Sequence, residues 1–156
     1  MPDLDDTPFT EQERIFLGEL SRSRTRFVLV GLAAAVVQGA DTVTQDLDFW
    51  FESLDSPAIG AAARAAGGFY STRTQPPLNR GEGLDRIDIV THCDGLDEFD
   101  AEYANTSPLS VDDFEIRVLD LRRIIASKEA AGRPKDRAVL EQLRAALAAI
   151  GSSRAP

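Results

Sequence analysis

Two aspartates on either side of one leucine, Asp46 and Asp48, have the residue type and spacing that best suit chemistry in this sequence. Residues two apart on a strand project from the same face, about 7 Å apart, while the residue between them faces the other way. Paired carboxylates are unfavourable without a cation, and Mg²⁺ takes one or two carboxylates plus phosphate oxygens. The pair is therefore a candidate metal site. Because such a pair also arises by chance in acidic proteins, a solvated surface pair is the alternative.

Two further features favour a site that binds metal and phosphate. Asp88 has an isoleucine on either side, and a carboxylate within an apolar run is unfavourable unless a partner such as a shared metal satisfies it. Gly31 ends one apolar run and precedes an alanine-rich segment. A helix that starts there would present backbone N–H groups to a phosphate.

Two charged residues near the end of the chain fall on apolar helix faces. Lys128 continues the apolar stripe of a predicted helix at 121–131, and Asp136 lies one step before the stripe of the last helix. Both side chains are predicted to point inward. They either serve a site or form a structural ion pair with each other.

Other residues give weaker signals. Trp50 shares the face of the paired aspartates, where it either stacks on a base or packs in the core. His92 and Cys93 follow the Asp88 strand without the neighbours that a catalytic dyad requires. Arg73 and Arg80 are either substrate contacts or solvated charges.

The elements that would position these residues alternate between strand and helix. The patterns predict helices over 11–23, 32–38, 58–66, 96–103, 121–131 and 134–150, and strands over 27–30, 47–51, 87–90 and 114–119. Residues 1–8 are predicted to be a frayed tail, and 71–85 a long exposed loop rich in proline and glycine. The predicted fold class is α/β, a small mixed β-sheet flanked by helices, with a C-terminal helical pair at 120–150.

Composition excludes several classes of protein. The 156 residues, of which 43% are apolar and 28% charged, predict a single globular domain over 1–156 and exclude a disordered chain. One cysteine and one histidine exclude an internal disulfide and an ordinary zinc site. The early residues are acidic where a signal peptide is basic, so the protein is expected in the cytoplasm and not in a membrane.

The net charge of −9 disfavours general binding of nucleic acids. The segment from residue 120 onward is the exception, with eight basic and four acidic residues. Residues 92–115 contain eight carboxylates and no lysine or arginine. That stretch is either a solvated surface or a docking face for a basic protein partner.

Taken in order, these segments resemble the minimal nucleotidyltransferases of the polymerase-beta superfamily, in particular stand-alone prokaryotic proteins of the abortive-infection and toxin–antitoxin type. The resemblance is carried by residues 28–34, Gly39, 44–50, 86–89 and 127–136. It implies a nucleotidyltransferase fold over roughly residues 25 to 145. It also implies transfer of a nucleoside monophosphate from an NTP to a hydroxyl on RNA, such as tRNA, or on a protein.

The resemblance assigns roles to nine residues. The residues that match the metal-binding aspartates, for Mg²⁺ or Mn²⁺, are Asp46, Asp48 and Asp88. The catalytic residues it implies are those three with Lys128 and Asp136, and the nucleotide-binding residues are Gly31, Thr44, Arg133 and Lys135. The family usually continues its first glycine with glycine or serine, whereas Leu32 follows here. A catalytically degenerate protein of the same fold, acting as an antitoxin or regulatory partner, is therefore the alternative function.

Overall fold

The computed structural model describes residues 9–71, 78–80 and 83–154, with only the backbone described at 78–80 and 152–154. The predicted tail at 1–8 lies outside these residues. The helices are α1 (Glu11–Arg22), α2 (Gly31–Val37), α3 (Pro57–Ala65), α4 (Phe99–Tyr103), α5 (Leu121–Ala131) and α6 (Pro134–Arg154). The strands are β1 (Phe27–Val30), β2 (Leu47–Phe51), β3 (Phe69–Ser71), β4 (Leu78–Arg80), β5 (Ile87–Val90), β6 (Thr106–Val111) and β7 (Phe114–Leu119).

The strands of the described chain form one mixed sheet in the order β3-β4-β5-β2-β1-β7-β6. β1 is antiparallel to β2 and parallel to β7, while β2 is parallel to β5. The register places Val30 opposite Asp48 and Asp48 opposite Asp88. The predicted α/β class with a small mixed sheet is confirmed, and the central strands bring two of the three aspartates side by side.

Local capping interactions explain where several helices begin. At α1 the Thr10 N–H donates to Glu13 Oε1 at 2.8 Å, and the Glu13 N–H donates to Thr10 Oγ1 at 3.2 Å. Such reciprocal bonds satisfy two of the free N–H groups at a helix start. At α5 the Arg122 N–H donates to Asp120 Oδ1 at 2.8 Å. The predicted start of each of these helices is confirmed.

The core lies between the central strands and the helices packed on them. Every residue of β1 is buried, and the ring of Phe27 packs edge-on against Phe49 with centroids 5.8 Å apart. Trp50 is only 6% exposed and packs edge-on against Phe99 at 5.3 Å. Of the two alternatives for Trp50, the structure therefore shows the core residue rather than a base-stacking one.

The prediction of an exposed loop at 71–85 is wrong in part. Within it, Leu78–Arg80 forms β4, which pairs antiparallel with β3 and with β5. Backbone hydrogen bonds to strands on both sides do not require apolar side chains, so the low apolar content of this segment did not exclude a strand. Arg73 and the side chain of Arg80 lie outside the described residues, and their roles stay predictions.

Two helices differ in length from their predictions. α4 begins at Phe99 rather than at residue 96, because the Asp97 N–H is held by the Glu102 side chain at 2.8 Å in a loop that precedes the helix. α6 continues to Arg154. No helix in the described part of the chain combines the length and the apolar character needed to cross a membrane.

Candidate active site

The three aspartates lie where β2 and β5 begin. Asp46 directly precedes β2, Asp48 is its second residue, and Asp88 is the second residue of β5. Thr44 holds the approach to β2: its Oγ1 donates to the Asp46 carbonyl and accepts from the Asp46 N–H, both at 3.2 Å. Asp46 and Asp88 are exposed and Asp48 is half-buried. The two strands therefore place all three carboxyls at one end of the sheet.

The pKa values show that the three carboxyls interact. Burial, followed by the negative charges of Asp88 and Asp46, raises the pKa of Asp48 to about 6. Burial and the charge of Asp46 also raise the pKa of Asp88, against a hydrogen bond with Asp48 that lowers it. The opposing charges of Lys128 and Lys135 lower the pKa of Asp48 in part. A carboxyl with a pKa near neutrality can hold or release a proton under physiological conditions.

Gly31 provides the space that the Asp48 carboxylate occupies. Its φ is +66°, and a Cβ at this position would lie 2.6 Å from Asp48 Oδ2. Residues other than glycine rarely adopt this backbone conformation, and a contact of 2.6 Å forces the carboxylate to move. The first residue of α2 therefore sets the position of Asp48.

Gly31→Ala is expected to destabilise the protein by about 2 to 4 kcal/mol, because backbone strain and the displaced carboxylate both act. The matched control is Gly132→Ala. Gly132 has a φ of +61°, and its added Cβ would meet only the Glu129 carbonyl at 3.7 Å. The control should lose about 1 kcal/mol from strain alone. Urea unfolding measures both, and equal losses would contradict a contact between Gly31 and Asp48.

A cavity of about 140 Å³ adjoins Asp48. Its polar lining comes from the start of α2, from β2, from the loop after β5, and from α5 and the turn that follows it: Gly31, Asp48, His92, Asp94, Ser127, Lys128 and Arg133. Asp46, Asp88 and Thr44 lie outside its lining. The cavity therefore brings the half-buried aspartate together with two cations, which is a suitable environment for phosphate groups.

Lys128 and Asp136 form the ion pair that was one of the two alternatives. Asp136 is 1% exposed, Lys128 Nζ lies 3.2 Å from its Oδ1, and Arg133 Nε lies 2.6 Å from its Oδ2. The Arg133 hydrogen bond, with help from Lys128, lowers the pKa of Asp136 to about 2. Asp136 thus contacts the two cations of the cavity, and a direct role for it in chemistry stays a prediction.

The loop after β5 supplies cavity residues to which the sequence pattern gave no role. His92 Nε2 lies 3.6 Å from Asp94 Oδ1, and both residues line the cavity with Cys93. Burial, then the nearby carboxylates beginning with Asp48, raise the pKa of Cys93 to about 12, so its thiol stays protonated. Their position in the sequence could have indicated a place in the site, because these residues follow the strand that carries Asp88.

The donor atoms suit Mg²⁺ or Mn²⁺ in chemical type. Among the described residues, no group of three or more His, Cys, Asp and Glu side chains is arranged to hold a metal ion. Mg²⁺ commonly uses only one or two carboxylates and completes its coordination with water and phosphate oxygens. The Asp48 and Asp88 carboxyls are enough for this one- or two-carboxylate coordination. The charge of Asp46 acts on both of them. The three-aspartate metal site stays a prediction.

The acidic stretch at 92–115 does not form one uniform face. Several of its carboxylates have cationic partners within the chain: Glu102 with Arg123, Asp100 with Arg26, Asp112 with Arg14 and Asp113 with Arg22. These partners come from three different parts of the fold, α1, the residue before β1, and α5. Part of the negative charge is therefore neutralised internally, and a basic protein partner on this stretch stays a prediction.

Comparison with solved structures identifies the fold. A solution structure of the antibiotic-resistance factor ANT(2'')-Ia matches with a TM-score of 0.58 and 14% sequence identity, covering 91% of this chain and 84% of that one. A crystal structure of ANT(2'')-Ia in complex with adenylyl-2''-tobramycin matches with a TM-score of 0.55 and 17% identity, covering 90% and 88%. The fold is nucleotidyltransferase-like. No protein-family model and no curated protein sequence matches the chain.

The match confirms the nucleotidyltransferase fold that the sequence resemblance implied. The stand-alone toxin–antitoxin type stays a prediction. The match extends over nine-tenths of the chain, beyond the 25-to-145 range on which the resemblance was based. At these identities the match concerns the fold alone. The role of each residue therefore depends on the geometry described above.

Proposed function

We propose that this protein is a metal-dependent nucleotidyltransferase that transfers a nucleoside monophosphate from an NTP to an acceptor hydroxyl. The observation that carries the proposal is the juxtaposition of Asp48 and Asp88 on neighbouring strands, beside a cavity lined by Gly31, Lys128 and Arg133. Carboxylates next to cations match what a metal–triphosphate complex requires.

In the proposed reaction the acceptor oxygen forms a bond to the α-phosphorus, the bond to the bridging oxygen breaks, and pyrophosphate leaves. A divalent cation held by Asp48 and Asp88, with Asp46 nearby, would neutralise phosphate charge. Lys128 and Arg133 would bind the triphosphate oxygens, with Lys135 close by. The acceptor proton would pass to a carboxylate of the pair. Positioning and charge neutralisation therefore supply most of the catalysis.

The acceptor and the biological setting rest on the sequence resemblance. We propose a hydroxyl on RNA, such as tRNA, or on a protein, within a toxin–antitoxin pair. Dependence on cellular NTPs favours action in the cytoplasm. The adenylyl-2''-tobramycin in the ANT(2'')-Ia complex adds a third acceptor class to be tested, the hydroxyl of a small polar molecule.

Two observations favour an enzyme over a degenerate binding module. A degenerate site would pair Asp88 with a cation such as Arg86, whereas the Arg86 guanidinium pairs with Glu13 and Asp88 interacts with Asp48. Leu32, which stands where the family usually has glycine or serine, packs against the core and lies outside the cavity lining. The leucine therefore leaves the cavity open.

The test is transfer of label from each of the four α-labelled NTPs, with Mg²⁺ or Mn²⁺, to total RNA, to a protein lysate and to an aminoglycoside. The wild-type protein should label one acceptor class, and Asp88→Asn should reduce labelling by at least about a hundredfold. The matched control is Asp85→Asn, an exposed aspartate in the turn before β5.

Equal labelling by wild type and Asp88→Asn would contradict the role of the carboxylate pair. No labelling with any NTP and acceptor, together with capture of a stable protein partner, would favour the binding module. The class of acceptor labelled decides among RNA, protein and small molecule.

A further inference from the structure

An ion pair with a buried carboxylate joins α1 to the residue that precedes the strand carrying Asp88. Glu13 is 1% exposed, although it lies on a helix outside the segments that carry the sequence resemblance. Its two carboxylate oxygens accept from Arg86: Nε donates to Oε2 at 3.0 Å and a terminal nitrogen donates to Oε1 at 2.6 Å. This two-pronged geometry holds the guanidinium in one orientation.

The backbone of Arg86 lies at the junction between β2 and β5. Its carbonyl accepts the N–H of Leu47 at 2.8 Å, and Leu47 is the residue between Asp46 and Asp48. Arg86 also precedes Asp88 by two residues. One peptide group therefore links the two segments that supply all three aspartates.

A second contact from α1 reaches the turn that leads into β5. Gly83 lies so close to Gln12 that a Cβ on the glycine would be 2.7 Å from the Gln12 Cβ. Gln12 and Glu13 are adjacent on α1, and they contact the first and last residues of the turn 83–86. The helix thus holds both ends of this turn.

From this arrangement we infer that Glu13 and Arg86 are positioning residues, which fix the junction of β2 and β5 and thereby the spacing of the three aspartates. The inference rests on the proposed function only in taking those aspartates as the reactive groups. Without the Glu13 carboxylate the guanidinium loses a buried partner, and the turn loses one of the two contacts with α1 described above. The Leu47–Arg86 hydrogen bond should then open more often.

Amide hydrogen exchange of Glu13→Gln tests the inference without any substrate. The Leu47 amide reports on the junction, and the Glu52 amide, which donates to Arg26 at 3.1 Å, reports on the far end of the same strand. The matched control is Glu102→Gln, a carboxylate that is also 1% exposed and pairs with an arginine, Arg123, on α5.

In Glu13→Gln we expect exchange at Leu47 to accelerate at least about tenfold more than exchange at Glu52. In Glu102→Gln the two amides should accelerate by similar factors, because that variant lowers overall stability without touching the junction. If exchange at both amides accelerates by the same factor in Glu13→Gln, the ion pair contributes only to overall stability, and the inference is overturned.

Kinetics provide the second measurement. At a temperature where Glu13→Gln is fully folded, kcat for nucleotidyl transfer should fall at least about tenfold while KM for the NTP changes little. An unchanged kcat in an active wild-type background would also overturn the inference. If the wild type transfers no nucleotide, the proposed function fails, and the exchange measurement still decides whether Glu13 fixes the junction.

Discussion

Replacing Asp48 by asparagine is expected to raise the melting temperature of the metal-free protein by about 3 to 6 °C near neutral pH. The raised pKa of about 6 means that the fold disfavours the ionised Asp48 carboxylate. Removing that charge should stabilise the protein by about 1 to 2 kcal/mol, less than the full shift would imply, because solvent screens a half-buried group. Asparagine has nearly the same shape, so packing against Gly31 is preserved.

The sign of the pH dependence follows from the direction of the shift. Between the unfolded pKa near 4 and the folded pKa of about 6, the native state binds more protons than the unfolded state. The contribution of Asp48 to the stability of the wild type should therefore fall as pH rises through this window. The gain from Asp48→Asn should be small near pH 4 and complete above about pH 6.5. Melting curves across this range, with Asp85→Asn as control, measure it.

The same substitution is expected to lower nucleotidyl transfer by at least about a thousandfold. It should also remove the response to metal. Millimolar Mn²⁺ with NTP should raise the wild-type melting temperature, because a ligand in hundredfold excess over its Kd adds about 2.7 kcal/mol. A stabilised variant that keeps its metal response would mean that Asp48 is not a metal ligand. A destabilised variant would contradict the repulsion among the carboxyls.

Asp136→Ala is expected to lower stability by about 2 to 4 kcal/mol, which corresponds to a fall of roughly 5 to 12 °C in melting temperature. The substitution leaves Lys128 and Arg133 without the buried carboxylate that both contact, and like charges then repel at the cavity wall. The matched control is Glu129→Ala. Glu129 pairs with Arg144 at 3.0 Å between the same two helices, but both side chains are at least half exposed. The control should lose no more than about 1 kcal/mol.

Acid titration gives a second measurement of this ion pair. The folded pKa of Asp136, about 2, lies below its unfolded value, so its contribution is present above about pH 4 and is lost as pH falls toward 2. The wild type should therefore approach the stability of Asp136→Ala in strong acid. Equal differences between the two proteins at pH 7 and pH 2 would contradict a contribution from the ionised carboxylate.

The face of the strand on which each aspartate lies could be predicted because it depends on local rules. Alternation along a strand fixes which side chains share a face, and two apolar strands that follow one another commonly lie in one sheet. The Thr10–Glu13 capping box was predictable for the same reason, since three residues determine it. Short-range patterns were therefore enough for the orientation of the aspartates, whereas the pairing of β2 with β5 joins distant segments.

Features that depend on distant partners could not be predicted. β6 contains Pro108 and several hydroxyl residues, which do not indicate a strand, but β7 supplies its hydrogen-bonding partner at the sheet edge. Nothing local to Glu13 reveals that Arg86, far along the chain, lies opposite it. Residues of the loop after β5 line the cavity together with residues of α5, which is distant in the sequence, so this part of the cavity could not be predicted either.

The order of strands has a consequence for how the molecule acquires its shape during folding. β1 pairs with β7, and Val28 lies opposite Arg117. These two strands are far apart in the sequence, so they must be brought together before their backbone hydrogen bonds can form. Loop closure over such separations is slow compared with helix or hairpin formation. The β2–β5 pairing likewise joins segments that are far apart in the chain. We expect the carboxylate cluster to assemble together with the pairing of the central strands, so that the repulsion among its charges arises at the same time as the core packing that offsets it.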